Sequence, residues 1–342
     1  MRRTHNARPL AAAAAALLVA VTLSACAPAF AQDREREREL MLTRTFDRTS
    51  QSLLIDVADA DVVVRNGTGD QITFEVWLSA SNLPEARTRY ERMNFRADAS
   101  NDTISLRSDD PQNAWDNWDW RRWGGFDVVV EATVPENIDA RIVSEDGDIS
   151  LQSLAGNIVV LSADGDISAD RLTGDVHLET EDGDVAVRAV SGQVLVARSE
   201  DGDISLGDLD AESIEVHTTD GDIHGKRVAG GTIDVRTEDG DIVVDAVAGA
   251  LAAQTGDGDI HVSIERLADT SLRTGDGDIT IRAKESLAAD LDLHGHGLSM
   301  RREVRFEGTL DRRTIQGALN GGGPTLEART GEGTVVLRLQ GD

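Results

Sequence analysis

Paired carboxylates at a fixed spacing are the residues of this sequence with the clearest chemistry. The tetrapeptide Asp-Gly-Asp-(Ile/Val) recurs with its glycine at 147, 165, 183, 202, 221, 240, 258 and 277, in steps of 18 or 19 residues. The flanking acids are Asp146 and Asp148, Asp164 and Asp166, Asp182 and Asp184, Asp201 and Asp203, Asp220 and Asp222, Asp239 and Asp241, Asp257 and Asp259, and Asp276 and Asp278. Oxygen ligands of this kind suit a hard divalent cation such as Ca²⁺. The competing use is structural, with the side chains accepting hydrogen bonds from turn N–H groups while their charges stay solvated. Both readings stay open at this point.

Other candidate groups are few. Trp115, Trp118, Trp120 and Trp123 crowd into nine residues among Asp116, Asp119, Arg121 and Arg122. Clustered Trp on a loop can bind sugars, a partner or a membrane interface, and can equally cover an open apolar end. His294-Gly295-His296 offers two metal ligands without an identifiable third. The Asp-Gly-Asp-Ile unit looks like the middle of an EF-hand loop, yet Ile142 and Ser153 stand where its first Asp and last Glu belong. The calcium β-roll nonapeptide is also incomplete. The sequence has no nucleophile elbow, phosphate loop or His-anchored triad.

The elements that carry the acid pairs follow from the same repeat. Three residues before each repeat glycine stands Ser or Thr, from Ser144 to Thr274, and two residues after it stands Ile or Val, from Ile149 to Ile279. A half-repeat lies between, as in Gly156-Asn157-Ile158 and Gly174-Asp175-Val176. Strand-like alternation at this period, with no helix-length segment, means coils that bury nothing alone and form a core by stacking about 4.8 Å apart. The expected fold is all-β, a single-stranded, right-handed parallel β-helix. Inward columns fall at seven, five and three residues before the glycine and two, four and mostly seven after it, as in Ile233, Val235, Thr237, Ile242, Val244 and Val247. The glycine itself is expected to serve a corner with positive φ.

Outside the repeat, Leu53 to Val64 keeps its phase around Asp59-Ala60-Asp61, and Ile72 to Leu78 alternates. One short helix is expected in Asn82 to Ala97, with Asn82 as N-cap and Pro84 in the first turn. Strands resume at Thr103 to Leu106 and Phe126 to Val134. After residue 284 the pattern degenerates, then returns from Leu326 to Leu337.

Composition limits the function classes. The 342 residues carry 62 Asp and Glu against 34 Lys and Arg, a net charge of −28 that repels phosphate backbones and argues against a nucleic-acid partner. Five Trp, six Phe and one Tyr leave an aliphatic core. Arg2, Arg3 and Arg8 precede an uncharged apolar run from Leu10 to Leu23, followed by Leu23-Ser24-Ala25-Cys26. This is a lipobox, with the only Cys of the protein placed for acylation. Cleavage after Ala31, leaving a soluble periplasmic protein, is the alternative. The resulting division is 1–25 signal peptide, 26–50 charged tether, 51–135 N-terminal strands with helix and Trp-rich loop, 136–300 regular solenoid, and 301–342 degenerate and final coil.

The order of lipoprotein signal, alternating N-terminal segment, a strand ending in Ala-Thr-Val-Pro at 132 to 135, and repeated Thr-x-Asp-Gly-Asp-Ile coils resembles the DUF4097 family of adhesin-like β-strand repeat proteins, over about residues 50 to 340. The resemblance implies a bacterial envelope protein with no assigned catalytic residue. The function expected is therefore a non-enzymatic, lipid-anchored surface or scaffold protein, on the outer membrane. It would offer its acid ladders, and the Trp-rich loop, to an envelope component, glycan or surface protein. Two alternatives stand beside it. One is a polysaccharide lyase-type enzyme using Asp-bound Ca²⁺, against which the constant coil length leaves no long loops to wall a cleft. The other is an envelope-stress accessory that binds a membrane sensor.

Overall fold

The computed structural model describes residues 36–48, 52–100, 102–109, 126–301 and 304–341. Its N-terminal elements are β1 (Glu37–Asp47), β2 (Ser52–Asp56), β3 (Asp61–Asn66), β4 (Gln71–Ala80), α1 (Leu83–Met93), β5 (Arg96–Ser100), β6 (Thr103–Arg107), β7 (Phe126–Val134) and β8 (Asp139–Val143). Long strands follow at the repeat period: β9 (Ile149–Leu161), β10 (Ile167–Glu179), β11 (Val185–Arg198), β12 (Ile204–His217), β13 (Ile223–Arg236), β14 (Ile242–Gln254) and β15 (Ile260–Thr274). Each pairs in parallel with the next, so that Ile149, Ile167, Val185, Ile204, Ile223, Ile242 and Ile260 form one column.

The inward columns lie where the alternation puts them. Ile233, Val235, Thr237, Ile242, Val244 and Val247 are all buried, and the equivalent residues of neighbouring coils form one continuous aliphatic core with them. The glycines behave differently from expectation. Positive φ occurs in the half-repeat, at Gly156 (143°) and Gly174 (118°) and, without glycine, at Ser153 (56°) and Arg171 (54°), whereas the corner glycines have none. What fixes glycine at the corner is contact between coils: a Cβ on Gly165 would overlap the carbonyl oxygen of Gly147, and a Cβ on Gly240 that of Gly221.

At both ends the stacking order departs from the chain order. Coil β2–β3 lies against β8 and β9, and the later β6 and β7 stack on its outer side, also in parallel. The C-terminal elements are β16 (Ile279–Lys284), β17 (Ala289–His294), β18 (Gly297–Arg301), β19 (Phe306–Leu310), β20 (Thr314–Leu319), β21 (Thr325–Thr330) and β22 (Thr334–Gln340). Here the last coil, β21–β22, sits directly on β15 and β16, and the earlier β17 and β18 lie outside it. Beyond those outer coils the pairing turns antiparallel, through β4 and β1 at one end and β20 and β19 at the other. Antiparallel strands thus end the parallel ladder, and an open ladder is a template for unwanted pairing.

The stretch read as a tether is a strand from Glu37 onward. Arg38 pairs across the sheet with Glu131 and lies 4.3 Å from the Trp77 ring, while Glu39, its neighbour on the other face, accepts from Arg87 of α1. Phe46 packs edge-on against Phe74 at 6.2 Å between centroids. Alternating charge here belongs to an edge strand that carries ion pairs on both of its faces. α1 forms as expected behind Asn82, which makes no side-chain cap and donates instead to Glu85.

Candidate functional site

Each corner is built from its Ser or Thr upward. Thr237 Oγ1, buried, donates to the Gly221 carbonyl of the preceding coil at 3.0 Å and accepts from the Gly240 N–H of its own corner at 3.2 Å. Ser199, Thr218, Thr255 and Thr274 repeat both bonds. A β-branched or small hydroxyl side chain is therefore required at a position that is otherwise apolar.

The two acid rows, equivalent in sequence, are different in structure. In the row after the glycine, Asp148 Oδ1 accepts the backbone N–H of Asp166 at 3.0 Å, and the pattern continues through Asp166, Asp184, Asp203, Asp222, Asp241 and Asp259 at 2.7–2.8 Å. Asp61 begins this row by accepting from Asp148 at 3.2 Å, and Asp278 ends it by accepting from Thr334 at 2.7 Å. The turn N–H groups are thus satisfied across coils, by the neighbour's carboxylate. In the row before the glycine, Asp164, Asp182, Asp201, Asp220, Asp239, Asp257 and Asp276 are exposed, and among the described residues their carboxylates have no partner. Glu145, Glu181, Glu200 and Glu238 stand beside that outer row and add to its charge.

At the N-terminal end the rows run into a hollow of about 100 Å³ lined by Asp59, Asp61, Asp127 and Asp146. Burial pushes the Asp61 carboxyl above its ordinary value, and the charges of Asp148 and Asp127 push the same way against the hydrogen bond from Asp148 N–H. Asp127 pairs with Arg36. These acids do not converge on one point: among the described residues no group of three or more His, Cys, Asp or Glu is placed to hold a metal ion. The phase of Asp59-Ala60-Asp61 was the sequence signal for this extension, while Asp127 had none.

The two histidines of the His-Gly-His segment have separate partners. His294 Nε2 lies 2.8 Å from Asp292, which also accepts from Arg329 at 2.9 Å, and His296 Nδ1 lies 2.9 Å from the Glu332 carbonyl. Burial raises the Asp292 pKa, and the bonds from His294 and Arg329 more than offset it, leaving the carboxyl below its ordinary value. Cys26 and Trp115, Trp118, Trp120 and Trp123 lie outside the described residues.

The fold is mostly β, a long and largely parallel sheet of regularly spaced strands with hydroxyl and carboxylate columns at its corners. The chain belongs to the toastrack DUF4097 family, whose model matches residues 50–245 and 193–338. Among solved structures it is similar to two crystal structures, each of a "putative adhesin". That from Parabacteroides distasonis is 13% identical, with 87% of this chain and 97% of that one covered and a TM-score of 0.47. That from Parabacteroides merdae is 10% identical, with 87% and 96% covered and a TM-score of 0.44. No curated protein matches the sequence.

Proposed function

We propose that this chain is a non-enzymatic, adhesin-like surface or scaffold protein of the cell envelope, anchored through a lipid on Cys26. The observation that carries the reading is the outer acid row. Its carboxylates are exposed, regularly spaced and without partners among the described residues, whereas the row beside it is consumed in holding the coils together. A repeated, unspent charge presents one surface many times over, which suits multivalent attachment. The row presents its charge to a cationic partner surface along its length, and diffuse divalent cations are the second occupant that its charge would attract. Trp115, Trp118, Trp120 and Trp123, which lie outside the described residues, supply a second contact.

Two experiments test this. Replacing Asp182, Asp201, Asp220 and Asp239 together by Asn, in the Cys26→Ser protein that has no lipid to hold it, should weaken retention on envelope material while leaving the melting temperature no lower. Retention unchanged by that variant would reject the outer row as the binding surface. Cys26→Ser should move the protein out of the membrane fraction and abolish acyl labelling. A wild-type protein that carries no lipid would disprove the anchor.

A further inference from the structure

One groove lies beside the acid corners, on the outward face of the inner acid row, its first residues Ala186, Ser205, His224 and Val243 each standing two positions after Asp184, Asp203, Asp222 and Asp241. It runs across the coils that contain β11, β12, β13 and β14, has a volume of about 410 Å³, and falls at the third to fifth residues after the corner glycines. Along one side the register column Ala186, Ser205, His224 and Val243 is outward-facing. Along the other stand Arg188, Gly207, Lys226 and Asp245. Gly207 presses so closely on the Arg188 carbonyl that no Cβ fits there, which leaves an open floor between two cations. Arg188 and Lys226 are two coil steps apart, about 10 Å at the spacing of stacked strands. Both are exposed, as is His224, and among the described residues none of the three makes an ion pair or side-chain hydrogen bond.

We infer that this groove binds an acidic glycan with a carboxylate on alternate sugars, one carboxylate at Arg188 and the next at Lys226. The unpaired Arg188 and Lys226 select separated anionic groups, and Asp245 in the groove, the inner acid row two residues away and the net charge of −28 select a sparse anion, since together they repel a dense polyanion. The apolar Ala186 and Val243 suit the C–H faces of sugar rings, and Ser205, His224 and Asp245 offer partners for sugar hydroxyls. An extended peptide fits less well: the backbone of these strands is already paired to the coils on both sides, so no strand can be added. An acyl chain would lie half in water in so open a groove.

The inference rests on the reading of the protein as a binding scaffold. Its test is calorimetric titration of the full chain with a hexasaccharide of alternating glucuronate and N-acetylglucosamine. Binding that weakens with salt and falls about tenfold or more in each of Arg188→Gln and Lys226→Gln supports the site. Equal binding by the carboxyl-reduced hexasaccharide, tighter binding of dodecanoate or of a single-stranded DNA oligomer, or no effect of either substitution overturns it. The substitutions are at exposed side chains, and unchanged melting temperatures separate lost binding from lost folding. If the hexasaccharide fails to bind while the wild-type protein is still retained on envelope material, the groove assignment falls and the scaffold reading stands. If the hexasaccharide binds and is cleaved, the site stands and the non-enzymatic reading falls.

Discussion

At the scale of the residue, one hydroxyl does the work of two hydrogen bonds. Thr237→Val keeps the shape of the side chain and leaves a buried N–H on Gly240 and one fewer donor for the Gly221 carbonyl. It should destabilise by about 1–3 kcal/mol in denaturant unfolding, with Thr237→Ser recovering most of that. Gly240→Ala should be as damaging for a steric reason, because the added carbon meets the Gly221 carbonyl, while Gly69→Ala, with open space around it, should be near neutral. Asp61 gives the pH-dependent case. Its pKa is raised above 3.8, so the folded state holds the proton more tightly than the unfolded chain. That contribution to stability is fully present below 3.8 and is lost as pH rises through the folded value. At neutral pH the ionised group is a net cost, and Asp61→Asn, whose side-chain oxygen can still accept from Asp148 N–H, should melt higher than wild type. The gap should close as pH is lowered toward 3.8, and a gap independent of pH would refute the assignment to Asp61.

At the scale of the element, the two faces of a strand should answer oppositely to substitution. Ile242 is fully buried in the column of Ile and Val that follows the corners, and Val243 is half-buried on the outer face. Ile242→Asp places an unpaired charge in the core and should cost several kcal/mol, whereas Val243→Thr should fall within about 0.5 kcal/mol of wild type. Comparable losses at the two sites would mean a register shifted by one residue. This phase was legible in the sequence because burial by alternation leaves a period that repeats without error from Ile149 to Ile279. Three other features were not legible, each for a physical reason. The role of the corner glycine depends on the backbone of the next coil, which no local pattern contains. Strand β1 was hidden because an edge strand with ion-paired outer residues has the composition of a solvated linker. The insertion of β21–β22 beneath β17–β18 was hidden because both segments carry the same inward phase, with Leu291 and Leu326 aligned, and phase alone does not order coils. For the candidate site, the sixteen aspartates could be found by spacing, but the division into a row bonded from coil to coil and an outer row, free from Asp164 to Asp276 among the described residues, required the contact between coils.

At the scale of the whole stack, the free acid row sets an electrostatic problem that can be measured. Carboxylates about 4.8 Å apart repel by about 0.9 kcal/mol in bulk water and about 3.5 kcal/mol at an effective dielectric of 20. The inner row is relieved by the N–H groups it accepts, and the outer row, from Asp164 to Asp276, has only solvent and counterions among the described residues. Any added salt will therefore stabilise the fold by screening, and a rise in melting temperature with calcium is not by itself a sign of binding. NaCl at matched ionic strength supplies the comparison, because diffuse screening follows ionic strength whereas bound ions stabilise by mass action on the folded state. Calcium should raise the melting temperature beyond the NaCl control if the outer row holds the ion. Asp182→Asn, Asp201→Asn and Asp220→Asn combined should raise the calcium-free melting temperature by removing repulsion and should reduce the calcium-specific increment. The same change at Asp184, Asp203 and Asp222 should leave that increment intact, since Asn keeps the acceptor oxygen and the outer row is untouched. Calcium and NaCl curves that coincide would reduce the outer row to a solvated charge array, and its attachment role would then rest on a cationic partner surface alone.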